Sequence, residues 1–366
     1  MIKLETAELK THLARVKPFS SSKNEAYACV RINIGAGSCV LETANPFGDA
    51  RSRFDASGNL EATVDATKFS QALNRISGDV LSMKMDGGNL LITSGKTRLS
   101  LPVFQIRIPV EPPPANGALD CTVNREEWLD RSARCSWLNT PSETRIVQAV
   151  RAVTEAGALF VVASTNHAYA CTSLEYQGAD LDAILPHDSV SALNSALKNC
   201  DSDSVTFVGF DSYCAALAGN FSCNIRATHG AKPRNPSSII PLMDTADEWQ
   251  VEQQDVNGIL GTIGIFLTEC ATGLWLIPQA DGLNISFTGE SDGTLAQDQA
   301  VQGRCADFAA GVCTGNQAYM SHKFLAPMVK NATEKDFVIL SGPGRLGVSS
   351  EHYFAAASTM AEPIKK

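Results

Sequence analysis

Few residues in this chain have the type and spacing to do chemistry. His167 stands four residues before Cys171 in "NHAYAC", the pairing that activates a thiol nucleophile. The surrounding run is strand-like, and four residues along a strand separate two side chains too far for direct proton transfer. A packed histidine and a core thiol are expected there. "SGPGRLG", Ser341 to Gly347, resembles a phosphate loop only in its glycines. It lacks the Gly-Lys-Ser/Thr ending and lies between strand-like runs, so it reads as a hairpin turn. None of the eleven cysteines forms a Cys-x-x-Cys pair. The closest two in sequence, Cys305 and Cys313, lie in a Gly/Ala-rich segment, and most others sit in apolar runs such as "YACV" and "YACTSL". That pattern makes them small core residues rather than ligands or disulfides. "NIS" at Asn284 has the form of a glycosylation sequon, which matters only in a secreted chain. No catalytic residue, cofactor or metal is expected.

The elements that position these residues come next. With 366 residues, 44% of them hydrophobic and 19% charged, the chain is globular and long enough for two or three domains. A net charge of −9 argues against attachment to nucleic acid by bulk charge, while leaving room for a local basic surface. Glu5 comes early and no apolar core of a leader follows it, and the run Gly258 to Leu267 is too short for a bilayer. A cytoplasmic protein without membrane contact is expected.

"VDATKFSQALNRISGD", Val64 to Asp79, places Phe69, Ala72, Leu73 and Ile76 on one stripe of a helix, with Asp65 to cap its start and Gly78 to close its end. Its other face carries Lys68, Gln71 and Arg75. A hairpin follows, turning at Asp86-Gly87-Gly88. The same order recurs in "LPHDSVSALNSALKN" with "DSVTFVGFDSYCAALAGNFSCNIRAT", and in "SHKFLAPMVKNATEKD" with "FVILSGPGRLGVSSEHYFAAAS". The interval is about 120 to 135 residues. Pro327 should delay or kink the last of these helices. A second helix precedes each: "TAELKTHLARVKP", "NREEWLDRSARCSWL" with a capping box at Asn124 and Glu127, and "QQDVNGILGTIGIFL", weakened by three glycines. Strand-like sequence lies between the two helices of each unit, and the joins "IPVEPPPANGAL" and "KPRNPSSIIPLM" are Pro-rich. The chain therefore reads as α+β, in three repeats with two helices apiece. Its basic residues gather on helix faces: Lys10 and Lys17, Lys68 and Arg75, Arg131 and Arg134, Lys198, and Lys323 and Lys330.

In length, repeat order and the stretch "VDATKFSQALNRISGDVLSMKMDGGNLLITSGKTRLSLP", the chain resembles the bacterial DNA polymerase III beta subunit, the sliding clamp. "VVASTNHAYACTSL" is similar to the second-domain segment where that family usually has Thr-Asp-Gly-His-Arg-Leu. The resemblance implies the DNA-clamp fold, in which each domain packs two helices on antiparallel sheets, with domains at 1–117, 118–242 and 243–366. It implies a head-to-tail homodimer that encircles duplex DNA without reading its sequence, tethers a DNA polymerase and other replication or repair proteins, is opened by a clamp-loader ATPase, and has no catalysis of its own. DNA would face Lys10, Lys17, Lys23, Arg75, Arg131, Arg134, Arg145, Lys198, Lys323 and Lys330. A subunit junction would use Lys68, Ala72, Leu99 and Leu101 of one copy against Phe266 and Leu267 of the other. A pocket for partner peptides would draw on Val147, Gln148, His167, Ala168, Tyr169, Pro241, Phe354 and Ala356.

The chain departs from that family in two places. Ser164-Thr165-Asn166-His167-Ala168-Tyr169 keeps only the histidine of the usual motif, and the ending "FAAASTMAEPIKK" replaces a Met-Pro-Met type and runs longer. These changes imply a pocket for a different peptide, or one partly covered by the tail, in a divergent member of the kind expected of a phage or other mobile element. They also motivate a second reading, a non-encircling adaptor derived from a clamp that binds peptide motifs of replication factors.

Overall fold

The computed structural model describes residues 2–111, 120–138, 149–210, 212–227, 232–244, 246–266, 273–279, 282–287, 303–304, 317–333 and 337–360. Six helices carry the repeat: α1 (Thr6–Val16), α2 (Ala66–Asn74), α3 (Arg125–Cys135), α4 (His187–Leu197), α5 (Gln253–Phe266) and α6 (His322–Asn331). A short strand enters each of α1, α3 and α5, namely Ile2–Glu5, Asp120–Asn124 and Asp247–Gln250. Three consecutive strands leave each of α2, α4 and α6. The fold is α+β, and its element order repeats three times, as the sequence pattern requires.

The chain divides into two compact units. The first comprises Met1–Asp130, Ala152–Leu159 and Glu175–His229; the second comprises Arg131–Arg151, Phe160–Leu174 and Gly230–Lys366. In the first unit, a nine-stranded antiparallel sheet runs in the order Gln177–Gly178, Asp120–Asn124, Ser204–Gly209, Tyr213–Ala218, Phe221–Arg226, Gly48–Asp55, Ser38–Asn45, Cys29–Gly35, Leu60–Asp65. A four-stranded sheet orders Ile2–Glu5, Val80–Asp86, Asn89–Ser94 and Thr97–Pro102. Helix α1 drives Leu9, Leu13 and Val16 into the core, each at most 3% exposed. Each such side chain contributes about 1.5–3 kcal/mol of burial. In the second unit, Ala168–Leu174 pairs with Tyr353–Ser358, and the sheet continues through Arg345–Ser350 and Val338–Gly342 to Asp247–Gln250. A four-stranded sheet there orders Gly303–Arg304, Gly282–Phe287, Leu274–Gln279 and Ala318–Met320.

Local chemistry explains most boundaries. The Asp65 carboxylate accepts the Lys68 amide at 2.7 Å and starts α2. The helix stops at Asn74 rather than at Gly78, because Arg75 and Ile76 donate three residues back and tighten the last turn. Gly78 serves a different need: a Cβ there would meet the Ser94 hydroxyl at 2.4 Å. Asn124 caps α3 by accepting from the Glu126 and Glu127 amides at 2.9 and 3.1 Å. Gly87 and Gly88 turn their hairpin at φ +55° and +83°, where L side chains are strained. "SGPGRLG" is a hairpin turn, with Gly344 at φ +70°.

One expectation needs correcting. Pro327 does not delay its helix, since α6 starts at His322 and runs through it. The hydrogen bond it removes is the one to the carbonyl of Lys323, an exposed residue at the start of the helix. The Pro-rich join "KPRNPSSIIPLM" has local structure of its own. It forms the helical turn Pro236–Ile239 and the 3-10 turn Ile240–Met243. The buried Arg151 guanidinium clamps its start, donating to the Pro233 carbonyl at 2.9 Å and to the Asn235 side chain.

The eight described cysteines are free and buried. Burial pushes the Cys39 and Cys135 thiols up to about 12, which leaves them unreactive. Cys305 and Cys313 lie outside the described residues. No helix among the described residues is long and apolar enough to cross a membrane, and no group of three or more of them is placed to hold a metal ion.

Candidate nucleic-acid interface and partner pocket

In the first unit, side chains of α1 reach its neighbours. Lys10 donates to the Ile76 carbonyl at 3.1 Å, one residue beyond the exposed Arg75 that ends α2. Lys17, in the turn after α1, donates to the Ser70 hydroxyl at 3.2 Å. Lys10, Lys17 and Arg75 are thereby gathered on one helix pair. Arg15, only 3% exposed, donates Nε to the Asn199 carbonyl at 2.6 Å and Nη2 to Asp201 at 2.7 Å. These bonds fasten α1 to the end of α4, where Lys198 is the exposed C-cap. Lys23 stands exposed in the loop that follows α1. Sequence reasoning overlooked Arg15, although His12 and Arg15 flank the apolar stripe at helical spacing. His12 is buried too, 2.7 Å from the Ser52 hydroxyl and stacked on Phe54 at 4.5 Å. Burial, aided by the Arg15 charge, lowers its pKa to about 4, so it carries no charge at neutral pH.

In the second unit, Arg131 and Arg134 are half-buried on the last turns of α3, while Lys323 and Lys330 are exposed on α6. Both lysines border a cleft of about 610 Å³ between α5 and α6, walled also by Ala133 and Trp137. Gly261 and Gly264 line the α5 side. Of the three glycines that weaken α5 in isolation, two line this cleft: a Cβ on Gly261 would meet nothing within 4 Å and would project into open space, whereas one on Gly264 would touch the His322 ring at 3.4 Å. Arg145 lies outside the described residues.

The second unit also assembles part of the expected peptide pocket. His167, Ala168, Tyr169 and Ala356 line one cavity of about 360 Å³. Sheet pairing explains why: Ala168–Leu174 lies antiparallel to Tyr353–Ser358 with Tyr169 opposite Ala356. Phe354 is not part of the lining but sits under it, its ring 6.3 Å from that of Tyr169. Pro241 is exposed beside the cavity, and its neighbours Ile239 and Leu242 supply the wall. Val147 and Gln148 lie outside the described residues. The reading missed Lys232, Arg234, Leu242 and Arg345, all of which line the cavity. They were hidden in stretches legible only as a Pro-rich join and a turn. Leu242 is 47% exposed, a large apolar group left facing water.

The junction residues of the first unit share one region. Thr97–Pro102 is an edge strand of the four-stranded sheet, and it packs beside α2. Lys68 is exposed, Leu99 is half-buried, and Ala72 and Leu101 are already buried within the subunit. Phe266 ends α5, but its side chain and Leu267 lie outside the described residues.

No family model matches this chain, and no curated protein matches its sequence. Solved structures do. The DNA polymerase sliding clamp of Pseudomonas aeruginosa superposes with a TM-score of 0.84 over 99% of this chain and 100% of its own, at 15% identity. The DNA polymerase III beta subunit of Thermotoga maritima gives 0.84 at 13% identity, and the sliding clamp of Bacillus subtilis gives 0.84 at 14%, each over 99% of both chains. Despite its divergent sequence, this chain has the fold of the bacterial DNA polymerase III beta-subunit sliding clamps.

Proposed function

We propose that this protein is a DNA sliding clamp, a non-catalytic processivity factor. In this reading, two copies close head to tail into a ring around duplex DNA, each contributing three domains at 1–117, 118–242 and 243–366. The observation that carries it is a clamp fold matched over nearly the whole chain, in an acidic protein whose repeated helices and their caps carry Lys10, Lys68, Arg75, Arg131, Arg134, Lys198, Lys323 and Lys330. A ring holds DNA by topology, so a handful of weak phosphate contacts is enough, whereas a charge-held binder needs many and loses affinity steeply with salt. Lys10, Lys17, Lys23, Arg75, Arg131, Arg134, Arg145, Lys198, Lys323 and Lys330 are the proposed contacts. None belongs to a base-reading motif.

The edge strand Thr97–Pro102 and Lys68 on α2 would meet Phe266 and Leu267 of a second copy, a contact that closes when made twice. The cavity at His167, Tyr169 and Ala356 would take peptide segments of a polymerase, a clamp-loader ATPase and other replication or repair proteins, with Leu242 as an apolar anchor point. A cytoplasmic location accords with this role.

The test is retention on nicked circular DNA. A clamp stays bound through a high-salt wash and is released when the circle is linearised, and it sediments as a dimer of the 39.0 kDa chain. A chain that stays monomeric at micromolar concentration refutes the ring. Peptide binding without topology-dependent retention would establish the adaptor instead.

A further inference from the structure

Outside these surfaces, one face of the nine-stranded sheet carries an arrangement that the clamp role does not use. Glu42, its side chain 3% exposed, lies directly between Arg31 and Arg51 on the flanking strands. Arg31 Nε donates to one carboxylate oxygen at 2.6 Å and Arg51 Nε to the other at 2.7 Å. The Nη2 atoms of both arginines also close on Glu42. Each guanidinium thus spends one edge on the carboxylate and keeps its Nη1 donors for another partner. Arg53, exposed and two residues beyond Arg51 on the same strand, points to the same face.

All four side chains line a cavity of about 460 Å³. Its far side is lined by Gly219 and Asn220, in the turn between the neighbouring strands Tyr213–Ala218 and Phe221–Arg226 of the same sheet, where the Arg53 amide donates to the Asn220 carbonyl at 3.0 Å. Asn33, Asn220 and Ser222 add neutral polar groups, and Val40 and Leu217 add apolar contact. Three guanidiniums against one carboxylate leave a net of two positive charges in the cavity, within a chain of net charge −9.

We propose that this cavity binds a small organic phosphate monoester. Guanidinium forks match phosphate oxygens, and a monoester dianion balances the two uncompensated charges where a single carboxylate would not. The volume lies in the range of small-molecule sites and exceeds the needs of a bare ion. Asp49, Asp55 and Glu61 occupy the same face without lining the cavity. Asp55 and Glu61 are exposed and screened by solvent, and Asp49 is buried with its carboxylate on Asn224 and the Glu111 amide.

The experiment is calorimetric titration of the full chain at low salt with adenosine 5′-monophosphate, inorganic phosphate and sulfate. Adenosine monophosphate should bind more tightly than phosphate. Arg53→Gln, which removes an exposed charge and leaves the Glu42 pairs intact, should weaken it about 5- to 10-fold. Ser222→Ala should weaken it less, and unchanged thermal melting would show that both variants remain folded. Below pH ~6 the monoester takes up a proton, so its affinity should fall. Sulfate stays dianionic and should hold or gain affinity as Asp49, raised to about 6 by burial, becomes neutral. No saturable binding by the folded chain, binding indifferent to Arg53→Gln, or tighter binding of duplex DNA than of the monoester would each overturn the proposal.

Discussion

Replacing Arg15 by Met tests whether one buried guanidinium holds the helix array together. Met keeps much of the aliphatic stem and removes the fork. The bond to the Asn199 carbonyl is charge-assisted and, with its donor 3% exposed, is worth ~1.5–3 kcal/mol. The Asp201 carboxylate is 93% exposed, so that ion pair adds no more than ~1 kcal/mol. The expected loss is therefore ~2–3 kcal/mol, a fall in Tm of about 5–10 °C for a unit of this size. A second readout is independent of stability. Arg15 helps to lower the His12 pKa to about 4, so removing its charge should move the His12 titration upward, measurable by NMR. Burial remains the larger cause, and His12 should stay below its ordinary value. A stability change under ~0.5 kcal/mol with an unmoved His12 titration would refute the reasoning. It would mean that packing alone, and not the guanidinium bridge, sets α1 against α4.

Three further outcomes are expected. Arg75→Glu should impair retention on circular DNA and leave the dimer intact, whereas Lys68→Glu should weaken the dimer in sedimentation; equal effects of the two on both assays would contradict the assigned roles. Asp49→Asn should stabilise the fold by about 1–3 kcal/mol at pH 8 and by little at pH 4. The folded Asp49 pKa is raised to about 6, so its contribution is full below the unfolded value and lost as pH rises through 6, and a pH-independent gain in denaturant titrations would sink the idea. Gly78→Ala should cost ~1–3 kcal/mol, because its Cβ would lie 2.4 Å from the Ser94 hydroxyl, and a neutral effect on thermal melting would show that Ser94 rotates away freely.

The sequence by itself determined the elements and their threefold order. Apolar stripes at helical spacing, the Asp65 and Asn124 caps and the Asp86-Gly87-Gly88 turn are local signals, and the structure places helices and a hairpin there. Helix ends were less legible, as α2 shows: Gly78 looked like a stop signal but answers to Ser94, sixteen residues away. Only the tertiary structure decided which distant residues share a site. The pairing of Ala168–Leu174 with Tyr353–Ser358 brings His167 and Tyr169 to Ala356 across just over half the chain. Arg345, on the strand beyond Tyr353–Ser358, and Leu242, on the turn Ile240–Met243, add to the walls of that cavity. Cross-strand register likewise sets Glu42 between Arg31 and Arg51, and the pairing of Gly48–Asp55 with the sequence-distant Phe221–Arg226 brings Asn220 and Ser222 into the same cavity. Periodicity records which face of an element is apolar, because that follows from backbone geometry alone. Which elements then become neighbours depends on long-range packing, which leaves no mark in any short stretch of residues.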